Sequence, residues 1–574
     1  MRKYGKGFFV IFFSIILSVS NTAQAETFDE WYTVVNPTNP PADVVPYWGL
    51  SANGIAGSDF SIPNLLSFGS DGLQPLVSKV TSVQSCNGPQ DPKCPGNQYQ
   101  RFNANLPFCS AEYVTDCIVS LETKGADEIY QPATYTQEFP TNSPLTFKGD
   151  PNIALPPGRA PALFSIPNAP HQGGSQYIVK VELNGDRLPP ATKFRLDWAS
   201  ISIYAVKIIE RKSTPPYVSL DPELYPSLGV QVGGGGSPDC VEYSSTQCAL
   251  SYPLPVDINF RITIRLANKI DGWLHGRVSS ADAEISKDSF GNQIVKLSAN
   301  PIKIPAVYGW VEKSKAPKEL QDFYSSLPDA NRGSGVGCKN GNSGACESSQ
   351  WVSTIRGLFF DESSLKEFLL WLPIVNDTAK VAPTRWMFRT MDSGEWSRCT
   401  SSTDGLSGLV TTNATQYIGG PPKYDPLSGD LNYKVAAPHF LPNASIFKGN
   451  YDLIIKSEVA RCLYGFSNSP VKASISVISS DGTAEVATTS AIEKDGWFKF
   501  NAKGFSFSSP TLRVQLTQQK PESVPIITSP APIKNSSSIT SKKSQRTIRC
   551  QRGSTIRKVT ALAPKCPKGY KQIT

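Results

Sequence analysis

Twelve cysteines constrain this 574-residue chain more than any other feature. Eight of them fall into four pairs, Cys86/Cys94, Cys109/Cys117, Cys240/Cys248 and Cys338/Cys346, each spaced by eight residues. Random placement would yield about a quarter of one such pair, so the spacing signals local disulfides. The remaining four can pair as Cys399/Cys462 and Cys550/Cys566. In the chain-entropy model a short loop of this kind stabilises by roughly 2.5 kcal/mol, and a 399–462 crosslink by about 4. CxxC spacing is absent and no His lies within a few residues of any Cys. Neither zinc nor dithiol redox chemistry is therefore indicated, and no metal and no cofactor are expected. Disulfides at this density need an oxidising compartment.

The first 25 residues agree with that compartment. Arg2, Lys3 and Lys6 form a basic start, Phe8 to Val19 an apolar run, and Ala23-Gln24-Ala25 a small-residue cleavage pattern. This is the form of a secretory leader, with the mature chain beginning at Glu26. The apolar run is short for a bilayer span, and no second stretch of ~18 apolar residues follows. The expectation is a secreted, extracellular protein with no transmembrane span after cleavage.

Gly and Pro together make about 16% of the chain, against a usual ~12%, which favours turns and strands over long helices. Strand patterning is direct in several places. Phe260, Ile262, Ile264 and Leu266 alternate with Asn259, Arg261, Thr263 and Arg265. Tyr177, Val179, Val181 and Leu183 alternate with Lys180 and Glu182, up to a turn signal at Asn184-Gly185. Phe194, Leu196 and Trp198 repeat the period, as do Leu512, Val514 and Leu516, while Asp481-Gly482 and Asp495-Gly496 read as hairpin turns. The fold class expected is mainly β: multidomain, antiparallel β-sandwich-like units, each sheet with one face wet, stapled by disulfides. Two helices interrupt this. Pro317 opens one with a stripe of Leu320, Phe323, Tyr324 and Leu327; Ser364 and Glu367 read as the capping box of a second, with Leu365, Phe368, Leu369 and Leu372 on one face. Both stripes are expected to pack on sheets as core.

The expected organisation is a leader at 1–25, β-rich units at 26–160 and 161–312, a helical insertion at 313–382, and a third β-rich unit at 383–518. A Pro/Ser/Thr-rich linker at 519–546 leads to a basic disulfide module at 547–574. The first two β-rich units share a loose duplication. Phe60-Ser61-Ile62-Pro63-Asn64 recurs as Phe164-Ser165-Ile166-Pro167-Asn168, and the Cys109/Cys117 region is echoed around Cys240/Cys248.

Charge is strongly polarised. From Lys534 onward the chain carries Lys534, Lys542, Lys543, Arg546, Arg549, Arg552, Arg557, Lys558, Lys565, Lys568 and Lys571, eleven cations, and no Asp or Glu. With +11 there, +3 in the leader and a formal total of +8, the 26–533 segment is left at −6. A basic tail on a secreted protein seeks polyanions. The sequence Thr547-Ile548-Arg549-Cys550, then Arg557-Lys558-Val559-Thr560, then Pro564-Lys565-Cys566-Pro567-Lys568-Gly569-Tyr570-Lys571 resembles a short module of the form T-I-x-C…K-K-V-T…P-x-C-P-x-G-Y-K that ends many secreted actinobacterial proteins. Gly272-Trp273-Leu274-His275-Gly276-Arg277 and Val459-Ala460-Arg461-Cys462-Leu463-Tyr464-Gly465-Phe466 give the body a resemblance to large uncharacterised secreted proteins of the same group. The resemblance implies envelope or surface association and brings no activity. The tail cations Lys542, Lys543, Arg546, Arg549, Arg552, Arg557, Lys558, Lys565, Lys568 and Lys571 are the expected polyanion-binding residues. The partners expected are anionic cell-envelope polymers or other surface proteins. Nucleic acid is not expected, since only Tyr570 offers a stacking ring.

Catalytic motifs are missing. His171, His275 and His439 are the only imidazoles, and GxSxG, HExxH, GxxxxGK[ST] and GxGxxG are absent. Acidic residues near aromatics (Asp361, Glu362, Asp392 and Glu395, beside Trp396) are candidates for glycoside hydrolysis, which needs two facing carboxylates. Asp425, Asp430 and Asn432, with Gly429 in the loop, form a candidate calcium loop outside the EF-hand pattern. The function expected is non-enzymatic: binding, adhesion or structural work at the cell surface, with retention by the tail. The alternatives are a polysaccharide hydrolase acting through body carboxylates, and a self-assembling surface protein joined through sheet edges.

Overall fold

The alternation at 259–266 forms the strand Asn259–Leu266, with Phe260, Ile262, Ile264 and Leu266 fully buried. In the computed structural model it is one of many strands. The structure describes residues 47–52, 63–70, 80–210 (except 142 and 144–145), 218–219, 231–232, 240–326, 350–355, 358–359, 362–391, 399, 405–419, 421–427, 430–465, 471–478, 484–485, 488–507, 511–518, 546–553, 555–561 and 565–573. The chain is mainly β, with 54% strand, 9% helix and three helices among the described residues, arranged in multiple antiparallel sheets. It separates into two compact units, Met1–Gln519 and Lys520–Thr574, each described by itself below.

The first unit is organised by one long sheet. Its path runs Val80–Ser85, Asn64–Ser70, Tyr99–Asn105, Gln176–Arg187, Arg195–Glu210, Met387–Thr390, Gly272–Arg277, Leu406–Thr412, Gly449–Lys456, Trp497–Phe505 and Thr488–Lys494. Neighbours pair antiparallel except Gly272–Arg277 and Leu406–Thr412, which run parallel. The sheet spans residues on both sides of the expected 160/161, 312/313 and 382/383 boundaries. At one end it packs on a five-stranded sheet that contains Cys117–Lys124, Asn259–Leu266, Ser279–Lys287 and Gln293–Asn300. Tyr177, Val179, Ile201 and Ile203 of the long sheet meet Ile262, Ile264 and Leu297 of the smaller one in a single core. At the other end, Leu453 and Phe500 share a second core with Tyr417, Leu431 and Tyr433 of another sheet. Both ends are thus sandwich-like, and one sheet is common to both.

The expectation of one wet face per sheet fails in the middle of this arrangement. Lys180 and Glu182, read as outward, are only 1% and 4% exposed. Lys180 lies 3.1 Å from the Glu242 carboxylate and donates to the Val241 carbonyl at 2.9 Å. Ser200 and Ser202 are buried on the same strand as Ile201 and Ile203. Layers cover both faces, so Lys180 finds buried partners and not water. Asn184-Gly185 is likewise no turn. The strand Gln176–Arg187 runs through it, and a Cβ at Gly185 would lie 2.1 Å from the Arg195 carbonyl oxygen, so glycine permits close approach beside the bulge at 196–198. Asp495-Gly496 does form a hairpin turn, with φ of 52° and 79° joining Thr488–Lys494 to Trp497–Phe505. Asp481-Gly482 lies outside the described residues.

The helical stripes pack as core. Leu320, Phe323 and Tyr324 of the helix Lys318–Ser326 bury against Phe368 and Trp371 of the helix Glu362–Trp371, under the strand Tyr47–Ala52. Leu327 lies outside the described residues. The capping box at Ser364 is not formed, because the helix starts two residues earlier. Glu367 instead lies buried and accepts from the Tyr324 hydroxyl at 2.8 Å, which in turn accepts from Trp371 Nε1 at 2.7 Å. A third helix, Ser457–Tyr464, closes on Gly465 at φ 66°.

Among the described residues five disulfides are present: Cys86–Cys94, Cys109–Cys117, Cys240–Cys248, Cys399–Cys462 and Cys550–Cys566. Cys338 and Cys346 lie outside the described residues. The described eight-residue loops all lie at strand ends, and one of them closes a hairpin. Cys240–Tyr243 and Gln247–Tyr252 pair as a hairpin bridged by its own cysteines. Cys86 follows Val80–Ser85, and Cys94 precedes Tyr99–Asn105.

Candidate functional site

In the Lys520–Thr574 unit, three antiparallel strands form one small sheet, with Arg546–Arg552 in the centre, Thr555–Ala561 on one side and Lys571–Ile573 on the other. Cross-strand register decides which cations share a face, because directly opposed residues point the same way. Cys550 opposes Arg557 and Gln572; Arg549 opposes Lys558 and Ile573; Gln551 opposes Ile556 and Lys571. Cys550 is fully buried, and its disulfide to Cys566 draws the 565–570 segment over its face. On that covered face the Arg557 guanidinium sits 5.6 Å from the Tyr570 ring centre, and the Arg552 side chain lies 3.7 Å from where a Gly569 Cβ would be.

The opposite face is open. Arg549, Lys558 and Lys571 are exposed there, around Gln551 and the 47%-exposed Ile556. The sequence-predicted cations are therefore sorted and not pooled. Arg549, Lys558 and Lys571 share the open face. Arg552 and Arg557 belong to the covered face, and Lys565 and Lys568 lie exposed on the covering segment. Arg546 begins the central strand, and Lys542 and Lys543 lie outside the described residues. The signal that separates them was present in the alternation: Cys550 marks the inward parity, so Arg549 must face the other way.

The three imidazoles occupy different settings. His171 is held by backbone, its Nε2 3.0 Å from the Gln176 carbonyl and its Nδ1 accepting the Gly173 amide at 3.1 Å. Burial lowers its pKa, which keeps it neutral. His275 is 1% exposed, opposes Arg389 in the sheet, and pairs with the Tyr417 hydroxyl at 2.9 Å. Burial, with the Arg389 and Arg277 guanidiniums near, pushes its pKa well below the usual value. Arg277 is equally buried, lies 4.5 Å from the Tyr417 ring centre and donates to the Thr412 carbonyl at 3.1 Å. Desolvation lowers it to about 10. This His–Tyr–Arg cluster joins the layers and is sealed from solvent. His439 is partly exposed, and Asp377 binds both its Nδ1 and its backbone amide. The sequence reading did not find Asp377, which lies 62 residues upstream.

Of the carboxylate candidates for glycoside hydrolysis, only Glu362 is among the described residues. Asp361, Asp392 and Glu395 lie outside the described residues, as does Trp396, and Glu362 begins a helix. Asp425 and Asp430 oppose each other in a hairpin, with Asp425 Oδ1 accepting the Leu427 amide at 2.9 Å. Gly429 lies outside the described residues. Among the described residues no group of three or more His, Cys, Asp or Glu side chains is placed to hold a metal ion. An open surface cleft of about 620 Å³ lies between the Cys86–Cys94 loop and the 148–151 turn. Its two carboxylates are spent on those turns. Asp91 accepts the Asn87 and Lys93 amides, bonds that lower its pKa, and Asp150 accepts the Asn152 amide.

Among the described residues no helix is long and apolar enough to cross a membrane. No family model matches the chain, and neither a curated protein nor a solved structure is found to match it.

Proposed function

We propose that this is a secreted, envelope-associated protein held at the cell surface by its basic C-terminal module, while the larger unit does binding, adhesion or structural work. The observation that carries the reading is the small disulfide-linked sheet, whose described cations Arg549, Arg552, Arg557, Lys558, Lys565, Lys568 and Lys571 are all exposed in a segment with no Asp or Glu. The segment from Lys534 onward has no acidic side chain of its own, so an external polyanion supplies the counter-charge, with release of that polymer's counterions. The larger unit supports the non-enzymatic part of the reading. His171 and His275 are committed to internal partners, and the cleft carboxylates anchor turns.

Co-sedimentation with purified cell envelopes, comparing residues 26–574 with residues 26–518 across a salt series, tests this. Binding by the longer chain alone, released by salt, is the expected result. Equal binding by both chains would place the receptor on the larger unit and end the anchoring role of the module.

A further inference from the structure

The ten candidate cations do not contribute alike. We propose that the open face of the module, formed by Arg549, Lys558 and Lys571 around Ile556, is the binding site, and that its ligand is a polyol-phosphodiester polymer. This rests on the polyanion reading above and goes beyond it by naming the face and the ligand class. Arg549 and Lys558 oppose each other directly, which sets their Cβ atoms about 5 Å apart; Lys571 sits diagonally to Arg549, about 7–8 Å away. Like charges directly opposed weaken a strand pair, so the free face is electrostatically strained and an anion between the two side chains relieves it.

That spacing selects among polymers. A three-bond backbone unit spans about 3.5 Å, so a six-bond glycerol-phosphate repeat places charges about 7 Å apart, close to the Arg549–Lys571 diagonal. A glycan with one carboxylate on alternate sugars has nine or ten bonds between charges, more than about 10 Å by the same count, and leaves one cation of that pair unmatched. Arg549 can hold a phosphate of such a repeat with two donors. Single-stranded nucleic acid has similar phosphate spacing. It gains affinity by stacking bases on aromatic rings, however, and Tyr570 is taken up beneath Arg557 on the covered face. Ile556 supplies the open face with an apolar contact suited to the carbon backbone of a polyol.

The test measures equilibrium binding of the full chain to poly(glycerol phosphate), hyaluronate and single-stranded DNA, matched in charge, across a salt series. The expected order places poly(glycerol phosphate) about tenfold tighter than either of the others. In the triple variant Arg549→Gln/Lys558→Gln/Lys571→Gln, the affinity falls about tenfold or more and the salt slope drops by about two, at ~0.7 per lost phosphate contact. The triple variant Arg552→Gln/Lys565→Gln/Lys568→Gln removes the same charge from the other side and falls far less. Equal losses in the two variants would overturn the open-face site while leaving ionic retention in place. Equal affinity for hyaluronate would overturn the phosphodiester assignment, and tighter binding to DNA would transfer the face to nucleic acid. Failure to bind any of the three would remove both this site and the polyanion reading. All six residues but Arg552, Lys565 and Lys568 being on the sheet's open face, recovery of Cys550–Cys566 disulfide and of thermal stability in both variants separates lost contacts from lost folding.

Discussion

The larger unit and the C-terminal module use opposite means to hold strands together. In the first, polar groups are taken inside and satisfied there: Lys180 with Glu242, His275 with Tyr417, and Glu367 with Tyr324. In the second, one buried cysteine anchors the sheet and the described cations stay in water. A unit with a large core has room to bury a charge together with the partner and hydrogen bonds that offset its desolvation. A three-stranded sheet has no such interior. It leaves its charge outside and depends on a covalent staple, which makes the same residues available to a ligand.

The sharpest way to break this contrast is to remove the staple. Cys550→Ser/Cys566→Ser deletes about 3 kcal/mol of loop-closure stabilisation from a unit with little else, so amide protection across 546–573 is expected to vanish while the larger unit melts unchanged. Hydrogen exchange reads both units at once. Retained protection in the module would show a core that the register does not account for.

Next in size is a cavity in the larger unit. Phe260→Ala empties a fully buried site in the shared core and is expected to cost about 3–5 kcal/mol, seen as a lower denaturant midpoint. Polymer binding by the module should not change, and a parallel loss would mean that the two units are energetically coupled.

The smallest effect concerns a buried carboxyl. Asp116 is 2% exposed, and burial raises its pKa to about 6 although the Ala267 amide donates to it at 2.9 Å. The folded state therefore holds this proton more tightly than the unfolded chain. Stability falls as pH rises from about 4 to about 6, and the penalty, on the order of 3 kcal/mol, is complete above that window. Asp116→Asn keeps the acceptor oxygen and tolerates the φ of 50°. It is expected to be more stable than the parent at pH 8 and to lose the slope between pH 4 and 6 in denaturation curves. An unchanged slope would mean that the carboxyl is solvated.

Much of the local structure was legible because its causes are local. The alternation at 259–266 and the eight-residue cysteine spacing both describe events within a few residues; the strand is found as read, and so are the three such cysteine pairs among the described residues. What was misread depends on distant chain. Lys180 looked solvent-facing because its partner Glu242 lies 62 residues away, and Gly185 looked like a turn because the carbonyl of Arg195 that requires it belongs to the next strand. Ser364 and Glu367 have the form of a capping box, but Tyr324 from another helix claims Glu367. For the candidate site, charge was visible and direction was not. Composition counts cations, whereas register assigns them to faces, and the parity of Cys550 alone carried that second message.

The strand Met387–Thr390 lies between Arg195–Glu210 and Gly272–Arg277, pairing with both. A chain emerging from its N-terminus therefore presents Arg195–Glu210 and Gly272–Arg277 long before the segment that joins them exists. Until residue 390 is available, both strands carry an unpaired edge, and non-local pairing of this kind is slow and prone to wrong partners. Assembly of the long sheet must therefore wait for completion of most of the chain. The short disulfide loops can close earlier, and Cys240–Cys248 then holds its finished hairpin in register during that delay.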